Sequence, residues 1–444
     1  MSGQLAGTLD ERMDGMFCNQ CEQSANGTGC ANGMGVCGKD ADVQSLQETL
    51  LYGLKGMAAY AHHARRLGKS DEGVSAFIEE ALFATMTNVN FDIPTLLELC
   101  LECGRQNLRV MELLDQGHVE RFGPPCPATV REGTQAGPGI LITGHDLLDL
   151  ENLLKACEGT NVKVYTHGEM LPAHMYPRLR EHPNLAGNYG GAWQKQRREF
   201  ADFAGPIVAT TNCVLIPNPS YANRLFTTRA TAVPGGTRIV DEDFAPVVAL
   251  AKKCPPLPDA LDKQSTIGFH HDVILGLAGT IVQAVKEGKI RHFYLIGGCD
   301  GAEVGRNYFS DYAKATPADS FILTLGCGKF RIRDNDYGTL LGLPRLLDMG
   351  QCNNAYGAIK VAVALAEAFG CGVNDLPLTL VVSWFEQKAV AVLLTLLALG
   401  VKRITLGPRP PAFITPNVFK VLQEKYDLRL TGQSAQQDLA LTIV

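Results

Sequence analysis

The chain has 444 residues, 40 basic and 46 acidic, for a formal charge of −6. That balance offers no basic patch for nucleic acid, and 46% hydrophobic with 19% charged residues excludes a disordered chain. Fourteen cysteines are far too few for a disulfide-stapled mini-domain and many for a reducing compartment, so clustered cysteines point to metal ligation or catalysis before disulfides.

At ~150 residues per domain, the length suggests about three domains. Residues 1–16 read as a mobile tail without the apolar core of a signal peptide. Residues 17–40 form a Cys/Gly/Asn-rich loop with little periodicity. Helical spacing runs from Ser45 to about Gln116, with Leu46, Leu50, Leu51, Leu54, Met57 and Ala58 at intervals of three and four. A second helix is predicted over Glu72–Met86, and Asp92-Ile93-Pro94 opens a third. The Pro/Gly-rich segment 123–138 reads as a connector.

Short apolar runs then alternate with amphipathic stretches. Strands are predicted over 140–143, 162–166 and 207–211, with a helix near 147–157. A second linker falls near 255–263. The alternation resumes with a helix over 272–286, strands over 292–296 and 321–325, and a helix over 355–369. A strand over 378–382, a helix over 388–399 and a strand over 403–406 close the series. This βαβ texture predicts parallel sheets. The longest apolar run, Ala389–Leu399, is too short to span a bilayer and is flanked by Lys388 and Lys402. The chain therefore reads as soluble and cytoplasmic, with no membrane partner.

Two constellations carry chemistry. Cys18, Cys21, Cys30 and Cys37 bring four thiolates into a Gly-rich loop, and a tetrahedral sulfur set suits zinc or iron–sulfur. The irregular spacing favours iron–sulfur over the paired CxxC knuckles of a zinc ribbon. The second set is dispersed. His145, Glu169, Cys213, Cys299, Cys327 and Glu386 each follow a predicted strand, and Cys352 sits in a loop before a helix. Ligands of open α/β sheets collect at the carboxyl ends of parallel strands. Taken singly, each residue has a plainer role: a buried cysteine packs, and His145 caps a helix. Taken jointly, they form a candidate metal site. Imidazole and carboxylate beside thiolates suit an iron centre with a harder, oxygen-bridged part. Cys100 and Cys103 fall on a predicted helix and read as packing thiols, and Cys126, Cys157, Cys254 and Cys371 as core or loop thiols. No GxGxxG follows the first strand, so a nicotinamide site is not expected.

The blocks Met16–Gln23 (MFCNQCEQ) and Gly35–Lys39 (GVCGK) resemble the start of the hybrid cluster protein family, also called prismane proteins or hydroxylamine reductases. The likeness continues through Gly144–Asp146, Tyr165–His174, Gly187–Trp193, Thr210–Cys213, Gly297–Gly301, Gly326–Lys329, Asp348–Asn354 and Ser383–Lys388. It implies a multidomain α/β fold. A helical N-terminal domain, with a three-helix bundle and the Cys-rich loop, would cover 1–130. Two Rossmann-like parallel α/β domains would follow at 131–260 and 261–444.

The resemblance also implies two centres. Cys18, Cys21, Cys30 and Cys37 would hold a [4Fe-4S] cluster. His145, Glu169, Cys213, Cys299, Cys327, Cys352 and Glu386 would hold a hybrid iron–sulfur–oxygen cluster, with Cys299 at the persulfide position. The implied activity is reduction of hydroxylamine to ammonia and water, served by an electron-donor protein, with Glu386, Lys388 or His145 delivering protons. Nitric oxide reduction, or nitric oxide and redox sensing, is the alternative. Only about 80 residues separate Cys37 from the connector, so one helical bundle of the longer members is missing. This short form resembles the nickel–iron carbon monoxide dehydrogenases, which points to a homodimer and gives carbon monoxide oxidation as a further alternative.

Overall fold

The computed structural model describes residues 16–23, 29–31, 34–303 and 306–442. The expected tail lies outside these residues except for Met16, which is buried beside Cys18 and Cys30. The chain divides into two compact units. One holds the described residues through Leu114 and those from Thr379 onward; the other is Asp115–Leu378.

The first unit begins with a two-stranded antiparallel ribbon, Phe17–Cys18 against Cys30–Ala31. Its helices are Ala41–Arg66, Glu72–Ala84 and Ile93–Phe122, the last continuing past the unit's edge. Asp40 starts the first helix by accepting from the Val43 N–H at 2.8 Å, and Asp71 starts the second by accepting from the Val74 N–H at 3.2 Å. The C-terminal part supplies the parallel strands Leu378–Ser383, Ile404–Gly407 and Arg429–Leu430. Between them run the helices Gln387–Ala398 and Pro416–Tyr426. Glycines let the helices approach. A Cβ on Gly56 would lie 2.5 Å from the Gln387 carbonyl oxygen, and one on Gly104 would collide with the Leu394 carbonyl. Asn107 Nδ2 donates to Thr395 Oγ1 at 2.9 Å across the same contact.

The second unit is built on an eight-stranded sheet in the order Ala260–Ile267, Ala128–Thr134, Leu185–Asn188, Lys163–His167, Gly139–Thr143, Ile207–Ala209, Leu225–Thr228, Thr237–Ile239. All neighbours are parallel except the first pair. Three further strands, Leu346–Asp348, Ser320–Thr324 and His292–Gly298, run parallel in that order.

Both expected linkers contribute strands to the larger sheet. Segment 123–138 contains Ala128–Thr134, whose inward face is Ala128, Val130, Glu132 and Thr134. Two of those four are polar, so the alternation was hidden. Glu132 is buried because Arg333 Nη2 pairs with it at 2.6 Å. Segment 255–263 runs into Ala260–Ile267, an edge strand with mostly exposed polar residues. The helix expected over 272–286 is two, His271–Gly276 and Ala278–Lys286, broken at Leu277.

Candidate metal centres

In the first unit, Cys18 and Cys30 face each other across the ribbon and are buried. Cys21 is half-buried and Cys37 is exposed. All four line one recess, with Lys39, Thr87, Asn88 and Phe91 on its walls. The Gly35 N–H donates to the Lys39 carbonyl at 2.7 Å, which folds the Cys37 turn back towards the ribbon. Four thiols around one recess, none in a disulfide, fit a single sulfur-ligated cluster.

In the second unit, strand ends carry the dispersed donors. His145 follows Gly139–Thr143, reached through Gly144 at φ +112°. A Cβ on Gly144 would lie 2.9 Å from the Thr211 nitrogen and collide with the Thr210 hydroxyl, so only glycine fits this turn. Thr211 Oγ1 bonds His145 Nδ1 at 2.7 Å and accepts from the His145 N–H at 3.0 Å. That holds Nε2 towards Glu169 Oε2, 4.0 Å away. Glu169 Oε2 also accepts from the Cys352 N–H at 2.9 Å. His145, Glu169 and Cys352 are all buried, with ligand atoms within 4.8 Å of one another.

Cys213, Cys299 and Cys327 complete the set. Burial pushes the Cys327 thiol well above its ordinary range, and the negative charges of Glu169, Cys213, Cys299 and Cys352 push it further. Six donors of one sign or neutral, five of them buried, are mutually costly without a cation. None of these four cysteines is in a disulfide. Thiolate, imidazole and carboxylate in one cluster fit a mixed iron–sulfur–oxygen group. Cys213 has φ +66°, uncommon for a residue other than glycine. Buried Gln196 holds it there, donating to the Cys213 carbonyl at 2.5 Å and accepting from the Leu215 N–H at 3.1 Å.

Glu386 and Lys388 lie in the first unit. Glu386 caps the helix Gln387–Ala398, accepting from the Lys388 N–H at 3.1 Å, with Lys388 Nζ 3.7 Å from its other oxygen. Lys388 is only 3% exposed and is not a surface lysine.

Several supporting residues were not singled out in the sequence. Buried Gln351 donates to the carbonyls of His145 at 3.2 Å and Glu169 at 2.6 Å, so one amide ties three donor loops. Fully buried Lys329 donates to Asp348 Oδ1 and the Gly350 carbonyl, both at 2.7 Å, fixing the turn before Cys352. Asp300, next to Cys299, is gripped by Arg331 Nε at 2.8 and 2.9 Å and by Gln194 Nε2 at 2.7 Å. Their only sequence signal was membership of the family blocks. The thiols read as packing are so: Cys100 and Cys103 are buried, and burial lifts Cys103 to about 12.

A doubly arranged α/β scaffold with buried thiolate, carboxylate and imidazole at strand ends defines an iron–sulfur oxidoreductase class. The chain belongs to the prismane/CO dehydrogenase family, which matches residues 16–98 and 92–440. It is similar to the hydroxylamine reductase of Moorella thermoacetica, 61% identical over 414 residues, covering 93% of this chain and 97% of the relative. The hydroxylamine reductase of Rhodospirillum rubrum is 56% identical over 401 residues, covering 90% of this chain and 73% of the longer relative. A Ni-free carbon monoxide dehydrogenase from Thermococcus sp. AM4 superposes with a TM-score of 0.80 at 16% identity, covering 99% of this chain and 91% of that one. At that identity the likeness speaks for the fold alone.

Proposed function

We propose that this chain reduces hydroxylamine to ammonia and water, consuming two electrons and two protons per turnover. The observation that carries the reading is the mixed donor set of buried His145, Glu169, Cys299, Cys327 and Cys352 with half-buried Cys213. With Glu386 these residues would hold the hybrid iron–sulfur–oxygen cluster, Cys299 as the persulfide, while Cys18, Cys21, Cys30 and Cys37 hold a [4Fe-4S] cluster. When bound, the hybrid group supplies redox-active iron with a position for substrate.

The chain's own residues do the rest. Glu169 is oriented by the Cys352 N–H and His145 by Thr211. Gln351 keeps their loops in register. Burial of His145, Glu169, Cys299, Cys327 and Cys352 limits water at the donors. Glu386, Lys388 and His145 are the groups that would hand protons to the departing oxygen. Glu169 and Glu386 are hard oxygen donors, which favours this chemistry over carbon monoxide oxidation at a sulfur-rich nickel site. Nitric oxide is the second substrate candidate. An electron-donor protein must refill the N-terminal cluster beside the partly exposed Cys21 and Cys37. We place the protein in the reducing cytoplasm as a homodimer, with no nucleic-acid or membrane partner. Among the described residues, no helix is long and apolar enough to cross a membrane.

The test is ammonia production by anaerobically purified protein with hydroxylamine and a strong artificial reductant, alongside iron, sulfide and nickel analysis and EPR. Stoichiometric ammonia with iron and no nickel is expected. A loaded protein that consumes no hydroxylamine overturns the reading.

A further inference from the structure

A third cluster lies apart from every residue assigned above, in the second unit. Asp115 projects from the helix Ile93–Phe122, and His270 and His271 begin the helix His271–Gly276. They are 6%, 1% and 2% exposed. His270 Nε2 lies 2.9 Å from Asp115 Oδ1, and His271 Nε2 lies 3.8 Å from Asp115 Oδ2. Asp272 reaches in from the solvent side, its Oδ1 3.3 Å from His271 Nε2. One ligand atom from each of Asp115, His270 and His271 falls within 4.8 Å of the others.

A plain carboxylate–imidazole hydrogen bond would account for the His270 contact. It does not account for the second imidazole converging on the same carboxylate. A tetrahedral shell with bonds of about 2.0–2.1 Å sets its donors about 3.3–3.4 Å apart. The contacts here bracket that value. His270 Nδ1 accepts from the Asp272 N–H at 3.4 Å, and Asp272 Oδ2 lies 3.5 Å from the same nitrogen. Gly357 makes room for the His271 ring, since a Cβ there would lie 2.8 Å from Nδ1. Other polar neighbours include His118 and Tyr176 near Asp115 and, from the helix Ala355–Phe369, Tyr356 and Lys360, with Lys360 Nζ 3.4 Å from His271 Nε2. That ammonium competes for the same lone pair.

We infer that Asp115, His270 and His271 bind one divalent transition ion of the zinc class, with the fourth position open to water on the Asp272 side. Two nitrogens and a carboxylate oxygen, without sulfur, suit zinc or iron(II) and set this site apart from the thiolate centres.

The experiment uses the loaded protein, incubated anaerobically with Zn²⁺, desalted, and examined by metal analysis and zinc X-ray absorption. One zinc per chain with a nitrogen/oxygen shell at about 2.0–2.1 Å is expected, whereas zinc on cysteine would show sulfur at about 2.3 Å. Asp115→Asn and His271→Gln should each weaken binding at least about tenfold, since even outer-shell changes cost that much. Lys360→Met, on a partly exposed helix face, should tighten it. Unchanged iron content verifies that each variant is folded. A sulfur shell, loss of zinc from the unaltered protein on desalting, or Lys360→Met with unchanged affinity overturns the inference.

Discussion

Replacing Glu386 separates two roles that its geometry combines. Its carboxylate caps the helix Gln387–Ala398 through the Lys388 N–H at 3.1 Å and faces Lys388 Nζ at 3.7 Å. The cap is worth about 1 kcal/mol. Glu386→Gln keeps an acceptor oxygen and so keeps most of that. It removes one neutralising charge beside an ammonium that is 3% exposed, a change that costs about 3–5 kcal/mol where a buried pair is broken. Adding Lys388→Met removes the other charge and should recover most of the stability. Activity should not follow. A lost acid–base group lowers turnover by about 10²–10⁴, or roughly 3–5 kcal/mol of barrier. Glu386→Ser is the decisive control, because serine is a good cap without a carboxylate. The assay is ammonia formation from hydroxylamine, with thermal unfolding followed in parallel. Full turnover in Glu386→Ser, with an unaltered EPR spectrum, would reduce Glu386 to a helix cap and refute the proposed role.

Four further outcomes follow from particular contacts. Cys21→Ser should abolish the EPR signal of the N-terminal cluster and leave the dispersed centre assembled; loss of both in a folded protein would argue for one shared site. Gly56→Ala should lower the unfolding temperature, since overpacking costs about 1–3 kcal/mol and the new Cβ would meet the Gln387 carbonyl at 2.5 Å; an unchanged melting curve would sink the close-packing argument. Buried His174 is held at about 4 by loss of solvation, below its unfolded value of 6.5, so it stays neutral in the fold. Stability is therefore complete above pH ~6.5 and declines by up to about 3 kcal/mol as pH falls towards 4; His174→Gln should flatten that decline, and an identical acid profile would refute it. Light scattering should give twice the 47.9 kDa chain mass, and a monomer would exclude the homodimer.

Elements with local signals were legible. The helix opened by Asp92-Ile93-Pro94 starts at Ile93, and the helix predicted over 355–369 is found as Ala355–Phe369. Strand Ala128–Thr134 was not legible, because Glu132 sits on its buried face and is neutralised by Arg333, 201 residues away. The same limit applies to the centres. The six candidate donors of the second unit were legible as candidates because each follows a strand or opens a helix. Gln351, Lys329 and Gln196 could not, since each acts through a fold-made contact with a distant backbone group. The pairing of Asp115 with His270 spans 155 residues and leaves no local trace. Lys388 shows the reverse. Its sequence position allowed a solvated helix lysine, and only packing reveals it as buried.

The two cysteine sets differ in how far the chain must travel to assemble them. Cys18 to Cys37 closes within one short loop, so those four sulfurs meet at small entropic cost even before the helices have docked. His145 to Cys352 spans both groups of parallel strands in the second unit, and those donors exist as a set only once non-local strand pairing is complete. Maturation is thus ordered by topology. On the proposed ligand sets, the N-terminal site would be competent to capture iron early, and the dispersed site would be filled only after its strands have paired. Slow folding or late metal supply would accordingly produce chains loaded at the first site and not at the second, and the ratio of the two signals becomes a gauge of how the protein was made.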